Sequence, residues 1–403
     1  MKVFPEPFRP SRAAGLARLE RFVPHAAGEY ARLRNLDLPG HPHVSGLSPY
    51  LRYRLITEPE VIDAVVRHHG PDLPQKFLTE VYWRAYWKGW LQMRPAVWRD
   101  ARVGLRAGQN RMATEQGLRR TWEAACRGNT GIEGFDHWAH ELVTTGYLHN
   151  HARMWFASVW IFTLHLPWEL GADFFLRHLI DGDPASNTLS WRWVAGLHTP
   201  GKSYLATADN IERHTEGRFR PIGLATEARR IDGTPNPDPG ACPQGGVWTR
   251  SLPTALLLHE DDLHPDWLLQ DGLAPVSTAF ALAPEARSAL MVDPRIATLL
   301  GAAMEDCATR LAPRLGAVHG PVRGSGAVDA LVAWARASHA AQIVTPFAPV
   351  GPMADLLDDL DLRLAAENIR LIRAMRPYDA RLWPLATHGF FRFRESMQRA
   401  SAA

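Results

Sequence analysis

Seventeen residues at 230–246, RIDGTPNPDPGACPQGG, hold four prolines and four glycines. Proline removes a backbone donor and fixes φ, and glycine has no side chain to pack, so the stretch suits neither a helix nor a sheet interior. It reads as a linker between two segments of different pattern. Before it, from about Arg12 to Phe219, apolar residues recur at three- and four-residue steps, as in PQKFLTEVYWRAYWKGWLQM (74–93). That is the period of a buried amphipathic helix. NHARMWFASVWIFTLH (150–165) is apolar around most of its circumference and predicts a central helix. PWELGADFFLRHLI (167–180) follows, with Pro167 suited to a first helical turn.

After the linker, short apolar runs of strand length appear: TALLLHE (254–260), VSTAFAL (276–282), QIVTPF (342–347) and IRLIRAM (369–375). Between them lie helical segments, among them PRIATLLGAAMEDCATRLAPRL, AVDALVAWARASHA and MADLLDDLDLRLAAEN. This alternation predicts a parallel sheet covered by helices. The expected fold is therefore multi-domain. A mostly α-helical domain spans 1–220, a Gly/Pro-rich linker 221–250, and an α/β parallel-sheet, Rossmann-like domain 251–403. The second domain shows no glycine-rich phosphate fingerprint; HGPVRGSG (319–326) lacks the strand-to-helix context that such a motif requires.

Composition narrows the setting. With 403 residues, a net charge of +3 and 22% charged residues, the chain reads as soluble, globular and only mildly basic. A nucleic-acid partner is permitted by that balance but not demanded. The longest apolar run, near Ala157–Leu166, is too short for a bilayer and includes His165, and no signal-peptide core opens the chain. Three widely spaced cysteines argue against a disulfide framework, so a cytoplasmic monomer without a membrane partner is expected.

One segment, IDGDPASNTLSWRW (180–193), concentrates two aspartates, an asparagine and two tryptophans. As an EF-hand calcium loop it fails: position six is Ser186, position twelve is Arg192, and proline stands at position four. No metal is expected. The plain structural reading makes Asp183 or Asp181 a helix N-cap above a tryptophan core. The other reading draws in GYLHNHARM (146–154), whose Arg153 would need a carboxylate such as Asp181 if buried.

TTGYLHNHARMWFAS followed by FFLRHLIDGDPASNTLSWRWVAG resembles the flavin-binding helical domain of the photolyase/cryptochrome family. GEYARLRN, SGLSPYLRYRLIT and FLTEVYWRAYW agree with it in order, so the resemblance covers roughly residues 12–219. It implies an FAD flavoprotein, a lyase of the deoxyribodipyrimidine photolyase type that splits cyclobutane pyrimidine dimers in blue light by electron transfer from reduced flavin, with damaged DNA as partner. For the cofactor it implies Tyr30, Ser45, Leu47 and Ser48 at the phosphates, and Arg84, Arg153, Asp181 and Asp183 around the ring. Asn187 matches the residue facing flavin N5. For electron transfer it implies Trp191 and Trp168, with Trp122 as the third member; Trp155 and Trp160 offer another route or plain packing. Glu80, Trp83, Asn150, Met154 and Trp193 match the pocket for a flipped dimer, and Arg34 a DNA phosphate contact. Nothing in the α/β half marks an antenna chromophore.

This sequence also departs from the family pattern. Gly46 stands where many members have arginine, Ala85 where an acid is usual, and His151 where repairing members often have a DNA-contacting arginine. The family's F-N-P and K-F-D segment is missing. The α/β pattern comes last rather than first, which implies either a circular permutation or an unrelated domain fused downstream. Two alternatives to repair follow: a blue-light sensor that repairs nothing, and a flavoenzyme acting on a non-DNA substrate.

Overall fold

The computed structural model describes residues 8–402; residues 1–7, placed by the sequence at the start of the helical domain, lie outside them. The described residues gather into two compact units, each drawn from separated stretches of chain. The first comprises His25–Gly46 and Arg94–Pro239; the second comprises Phe8–Pro24, Leu47–Met93 and the chain from Gly240 onward. Residues 47–93, predicted within the helical domain, thus pack in the unit that holds the sheet. No helix among the described residues is long and apolar enough to cross a membrane.

The first unit is helical. Phe135–Thr145, Asn150–Ser158, Trp168–His178 and Pro184–Val194 surround a core in which Trp138, Trp155, Trp160 and Trp191 are buried. The predicted central helix is α-helical only to Ser158. Val159–Thr163 then forms a π turn, closed by the Leu164 N–H on the Val159 carbonyl at 2.9 Å. Apolar continuity was visible in the sequence; the wider turn was not, because it alters the hydrogen-bond step and leaves the residue pattern apolar. Pro167 lies just outside the next helix, as its extended N-cap residue rather than in its first turn.

In the second unit five parallel strands lie in the order β3-β2-β1-β4-β5. They are β1 Thr254–His259, β2 Ser277–Ala281, β3 Ala317–Val322, β4 Gln342–Pro346 and β5 Arg370–Ala374. A helical N-terminal region followed by an all-parallel α/β sheet is the expected fold. One expectation is corrected. HGPVRGSG does run from a strand, β3, into the helix Ala327–Ala337. It escaped notice because β3 is an exposed edge strand and needs no apolar run. Its place at the sheet edge is also remote from the point between β1 and β4 where the strand order reverses.

In open sheets of this kind, ligands enter the crevice at that reversal, outside the carboxyl ends of the strands. Here the chain's own side chains occupy it. The His259 ring pairs with the Pro346 carbonyl at 2.8 Å, bridging the ends of β1 and β4. The next residues, Glu260, Asp261 and Asp262, are all buried. Arg52 donates to Asp261, and Arg54 to Asp262 at 3.2 Å and to Asp379 at 2.5 Å. Arg376 forks onto Asp262 at 2.5 and 2.7 Å. These pairs give the physical reason why residues 47–93 pack with the sheet: Arg52 and Arg54 supply charge to acids that could not be buried alone. Gly246, in the linker, adds its N–H to the Arg373 carbonyl at 2.8 Å and so covers part of the β5 edge.

Candidate functional site

In the first unit the segment 180–194 forms a capped helix. Asp183 accepts from the Ser186 N–H at 2.9 Å and is the N-cap, with Pro184 in the first turn. The plain structural reading of Asp183 is therefore met. One turn on, the buried Asn187 donates its side-chain amide to the Ala172 carbonyl at 2.8 Å. With Nδ2 held there, its carbonyl oxygen is the group it can offer, an acceptor suited to a protonated ring nitrogen. Arg153 pairs with Asp181 at 2.8 Å, and its Nε donates to the Leu148 carbonyl at 3.0 Å. Asn150 and Met154 lie on the same helix as Arg153, Asn150 exposed and Met154 half-buried. Tyr30 is buried under the guanidinium of Arg34, 5.8 Å from its ring centre, and Ser45 is half-buried.

The tryptophans implied for electron transfer lie in and around the buried core of the first unit. Trp191 is buried, and the tryptophan ring it meets is Trp160, edge-on at 6.2 Å; Phe175 lies at 5.1 Å. Trp168, also buried, lies under the Arg192 guanidinium at 6.0 Å. Trp122 is half-buried at the margin of the same core. The contact between Trp191 and Trp160 depends on Gly171: a Cβ there would stand 2.3 Å from the Trp191 ring and 2.9 Å from the Trp160 Nε1. No motif pointed to that glycine.

Trp193 is half-buried and stacks on Tyr204, with ring centres 5.7 Å apart and planes at 26°. His151 lies nearby in contact terms: its Nε2 is 3.5 Å from the Tyr204 hydroxyl, its Nδ1 3.0 Å from the Asn35 carbonyl, and its ring stacks on Trp155 at 4.1 Å. Burial lowers its pKa to about 4, so it is neutral at pH 7. It does not replace the charge of the arginine often found at this position.

The second unit carries Leu47, Ser48, Glu80, Trp83 and Arg84. Ser48 opens the short helix Ser48–Arg52, behind the buried Leu47. Glu80, Trp83 and Arg84 lie on Gln75–Gln92. Arg84 reaches Glu58 at 3.4 Å through Nε, while its buried Nη2 has no hydrogen-bond partner. Trp83, implied as a stacking wall for a base, is half-buried and carries Phe390 parallel to one face, ring centres 3.7 Å apart and planes at 8°. Phe390 comes from the C-terminal helix Phe390–Ala402 and is itself buried. Only the fold brings these residues together, since they lie more than three hundred positions apart.

A charge cluster in the first unit was also invisible in the sequence. His41 pairs with Asp37 at 3.2 Å and Glu141 at 2.7 Å, and Asp37 also takes the Trp138 indole N–H at 2.9 Å and Arg218 at 3.1 Å. Burial alone would lower the His41 pKa, but the hydrogen bonds to Asp37 and Glu141 outweigh it and raise the value to about 9. Burial lowers His149 to about 3, and His198 and His151 to about 4. The signs give a stability maximum near pH 6.5. Above the unfolded histidine value of about 6.5, the folded chain keeps a proton on His41 that the unfolded chain loses, so stability falls as pH rises towards 9. Below it, the unfolded chain takes protons that buried His149, His151 and His198 refuse, so stability falls on acidification. Urea midpoints across this range test the expectation; stability that keeps rising above neutrality would refute it.

The Arg153–Asp181 pair, the anchored Asn187 and the tryptophan core all lie on the helices of the first unit. Residues 77–218 match the family model described as the FAD binding domain of DNA photolyase. They are a photolyase/cryptochrome FAD-binding domain, with a parallel sheet lying C-terminal to it, consistent with a rearranged α/β domain. The chain is 28% identical over 218 residues to a deoxyribodipyrimidine photo-lyase of Vibrio cholerae, covering 51% of this chain and 44% of that one. It is 33% identical over 166 residues to a deoxyribodipyrimidine photo-lyase of Streptomyces griseus, covering 40% and 35%. Less than half the length of each of these two relatives is thus matched. Among solved structures, a class III photolyase from Agrobacterium tumefaciens aligns with a TM-score of 0.43 at 27% identity, over 51% of this chain and 42% of that chain.

Proposed function

We propose that the chain binds FAD and uses blue light to split cyclobutane pyrimidine dimers in DNA. The observation that supports this most is the ring-side set in the first unit: the Arg153–Asp181 pair, the cap at Asp183, and Asn187 one turn later with its amide fixed on Ala172. The donor chemistry of this set suits a flavin. In the first unit Arg153, Asp181, Asp183 and Asn187 would hold the ring and its polar edges, and Tyr30 and Ser45 the phosphates. FAD, when bound, supplies light absorption and the transferable electron. Asn187 offers an acceptor at a ring nitrogen, and Trp193 offers a stacking face. Asn150 would hydrogen-bond the edges of the bases, with Met154 on the same helix.

A second reading, a light-sensing flavoprotein without repair, has two observations in its favour: Phe390 takes one face of Trp83, and His151 is neutral and bonded within the protein. Incubating reduced, flavin-loaded protein with a dimer-containing oligonucleotide in blue light and in darkness separates the two. Restoration of normal pyrimidines only in the light is expected. Absence of repair by a flavin-loaded sample would give way to the sensor reading, and a light-dependent change in oligomeric state would then be looked for.

A further inference from the structure

Among the described residues no three His, Cys, Asp or Glu side chains gather into a metal-ligand set. Two histidines of the first unit, outside the ring-side set, form a ligand pair instead. His151 stands on the helix Asn150–Ser158, and His214 ends the helix Ala208–His214. Their ring centres are 4.8 Å apart, with planes at 64°. Two imidazole nitrogens about 2.1 Å from one ion at a tetrahedral angle place their ring centres roughly 5 Å apart. The observed spacing meets that requirement.

The fold also sets where the ring protons sit. Nδ1 of His151 lies 3.0 Å from the Asn35 carbonyl, and Nδ1 of His214 lies 2.9 Å from the Asn210 carbonyl. A carbonyl only accepts, so each Nδ1 carries the proton and each Nε2 of the neutral ring keeps a lone pair. A ring N–H tied to a backbone carbonyl is the arrangement that orients histidine ligands at metal sites. Here it occurs twice, on adjoining rings. Nε2 of His214 has no hydrogen bond within the described residues, and Nε2 of His151 meets only the Tyr204 hydroxyl, at 3.5 Å. The surroundings hold both rings. His151 stacks on Trp155 at 4.1 Å, the Trp155 indole N–H donates to Asn210 Oδ1 at 2.9 Å, and the His214 carbonyl accepts from the Asp37 N–H at 2.8 Å. Little side-chain freedom is left to lose on binding. Both histidines are half-buried, which leaves room for water to complete a coordination shell.

We propose that Nε2 of His151 and Nε2 of His214 together bind one divalent transition-metal ion of the zinc and copper class, with water in the remaining positions and the Tyr204 hydroxyl beside it. Neutral imidazole suits such ions, whereas Mg2+ and Ca2+ prefer oxygen donors. The site lies outside IDGDPASNTLSWRW and does not depend on the repair reading.

The test is isothermal titration of the full chain, free of any purification tag and stripped with a chelator, first with ZnCl2 and then with MgCl2. One Zn2+ per chain is expected, with no comparable binding of Mg2+. His214→Ala removes one ligand; His151→Phe removes the other and keeps a ring on Trp155. Each is expected to weaken Zn2+ binding by at least about 10- to 100-fold, since losing even a group that only orients a ligand costs that much. With Cu2+ as the probe, electron paramagnetic resonance of the wild-type chain should show coordination by two ring nitrogens. That readout needs no variant, so it decides the matter where circular dichroism shows that a substitution has disturbed folding. A wild-type chain that binds no Zn2+ overturns the proposal, as does a Cu2+ signal without two ring nitrogens. Wild-type affinity in either folded variant also overturns it, because the ion would then sit on other side chains. Mg2+ bound as tightly as Zn2+ would do the same, since it would mean an oxygen site.

Discussion

Asp262→Ala lowers the stability of the chain by about 3–5 kcal/mol, the usual cost of removing one partner from a buried ion pair. Asp262 is fully buried at the carboxyl end of β1, bonded to Arg54 at 3.2 Å and doubly to Arg376, with the His264 N–H at 3.1 Å. Its removal leaves Arg376 without its carboxylate partner and takes one of two hydrogen-bonded carboxylates from Arg54. Burial raises the Asp262 pKa, but Arg376 and Arg54 outweigh burial and hold it well below the ordinary carboxylate range. The stabilisation is therefore present above the unfolded carboxyl pKa of about 3.9 and is lost as pH falls below it. Urea unfolding followed by circular dichroism measures the loss. A variant within about 0.5 kcal/mol of wild type, as expected for an ordinary surface change, would show that the acid is not needed to hold these elements together.

Gly171→Ala is the second large effect, and two terms of opposite sign compete in it. In a helix interior such as Trp168–His178, alanine is ordinarily favoured over glycine by about 1 kcal/mol. Here the new Cβ would lie 2.3 and 2.6 Å from Trp191 ring atoms and 2.9 Å from the Trp160 nitrogen. Both indoles are buried and have no flexible end to withdraw, so overpacking, which costs about 1–3 kcal/mol or more, decides the sign. The expected result is a net loss of stability together with a changed near-ultraviolet circular dichroism signal from the displaced indoles. A gain in stability with an unchanged signal would mean that the Trp191–Trp160 contact is looser than its geometry indicates.

Much of the site was legible because it is local. Asp181, Asp183, Asn187, Trp191 and Trp193 fall within thirteen residues, and Arg153 with Asn150 and Met154 within five, so short motifs could reveal them. The cap at Asp183 and the Arg153–Asp181 pair need little more than a helix start and one nearby positive charge. Four strands could be read from their apolar runs. The fifth could not, since an exposed edge strand carries no such run. Likewise the π turn at Val159–Thr163 left no trace in an already apolar segment.

The sequence by itself determined a helical N-terminal region, an α/β sheet after it and the motifs that nominate candidate ring-side residues, because periodicity and contiguous motifs are properties of neighbouring positions. Only the tertiary structure decided what those residues meet. It put Phe390 on Trp83, Trp160 against Trp191 across Gly171, and Arg52 and Arg54 among the acids that end β1. Each of these joins parts of the chain whose separation no local pattern spans, and each is fixed by shape and charge that exist only once the core has closed.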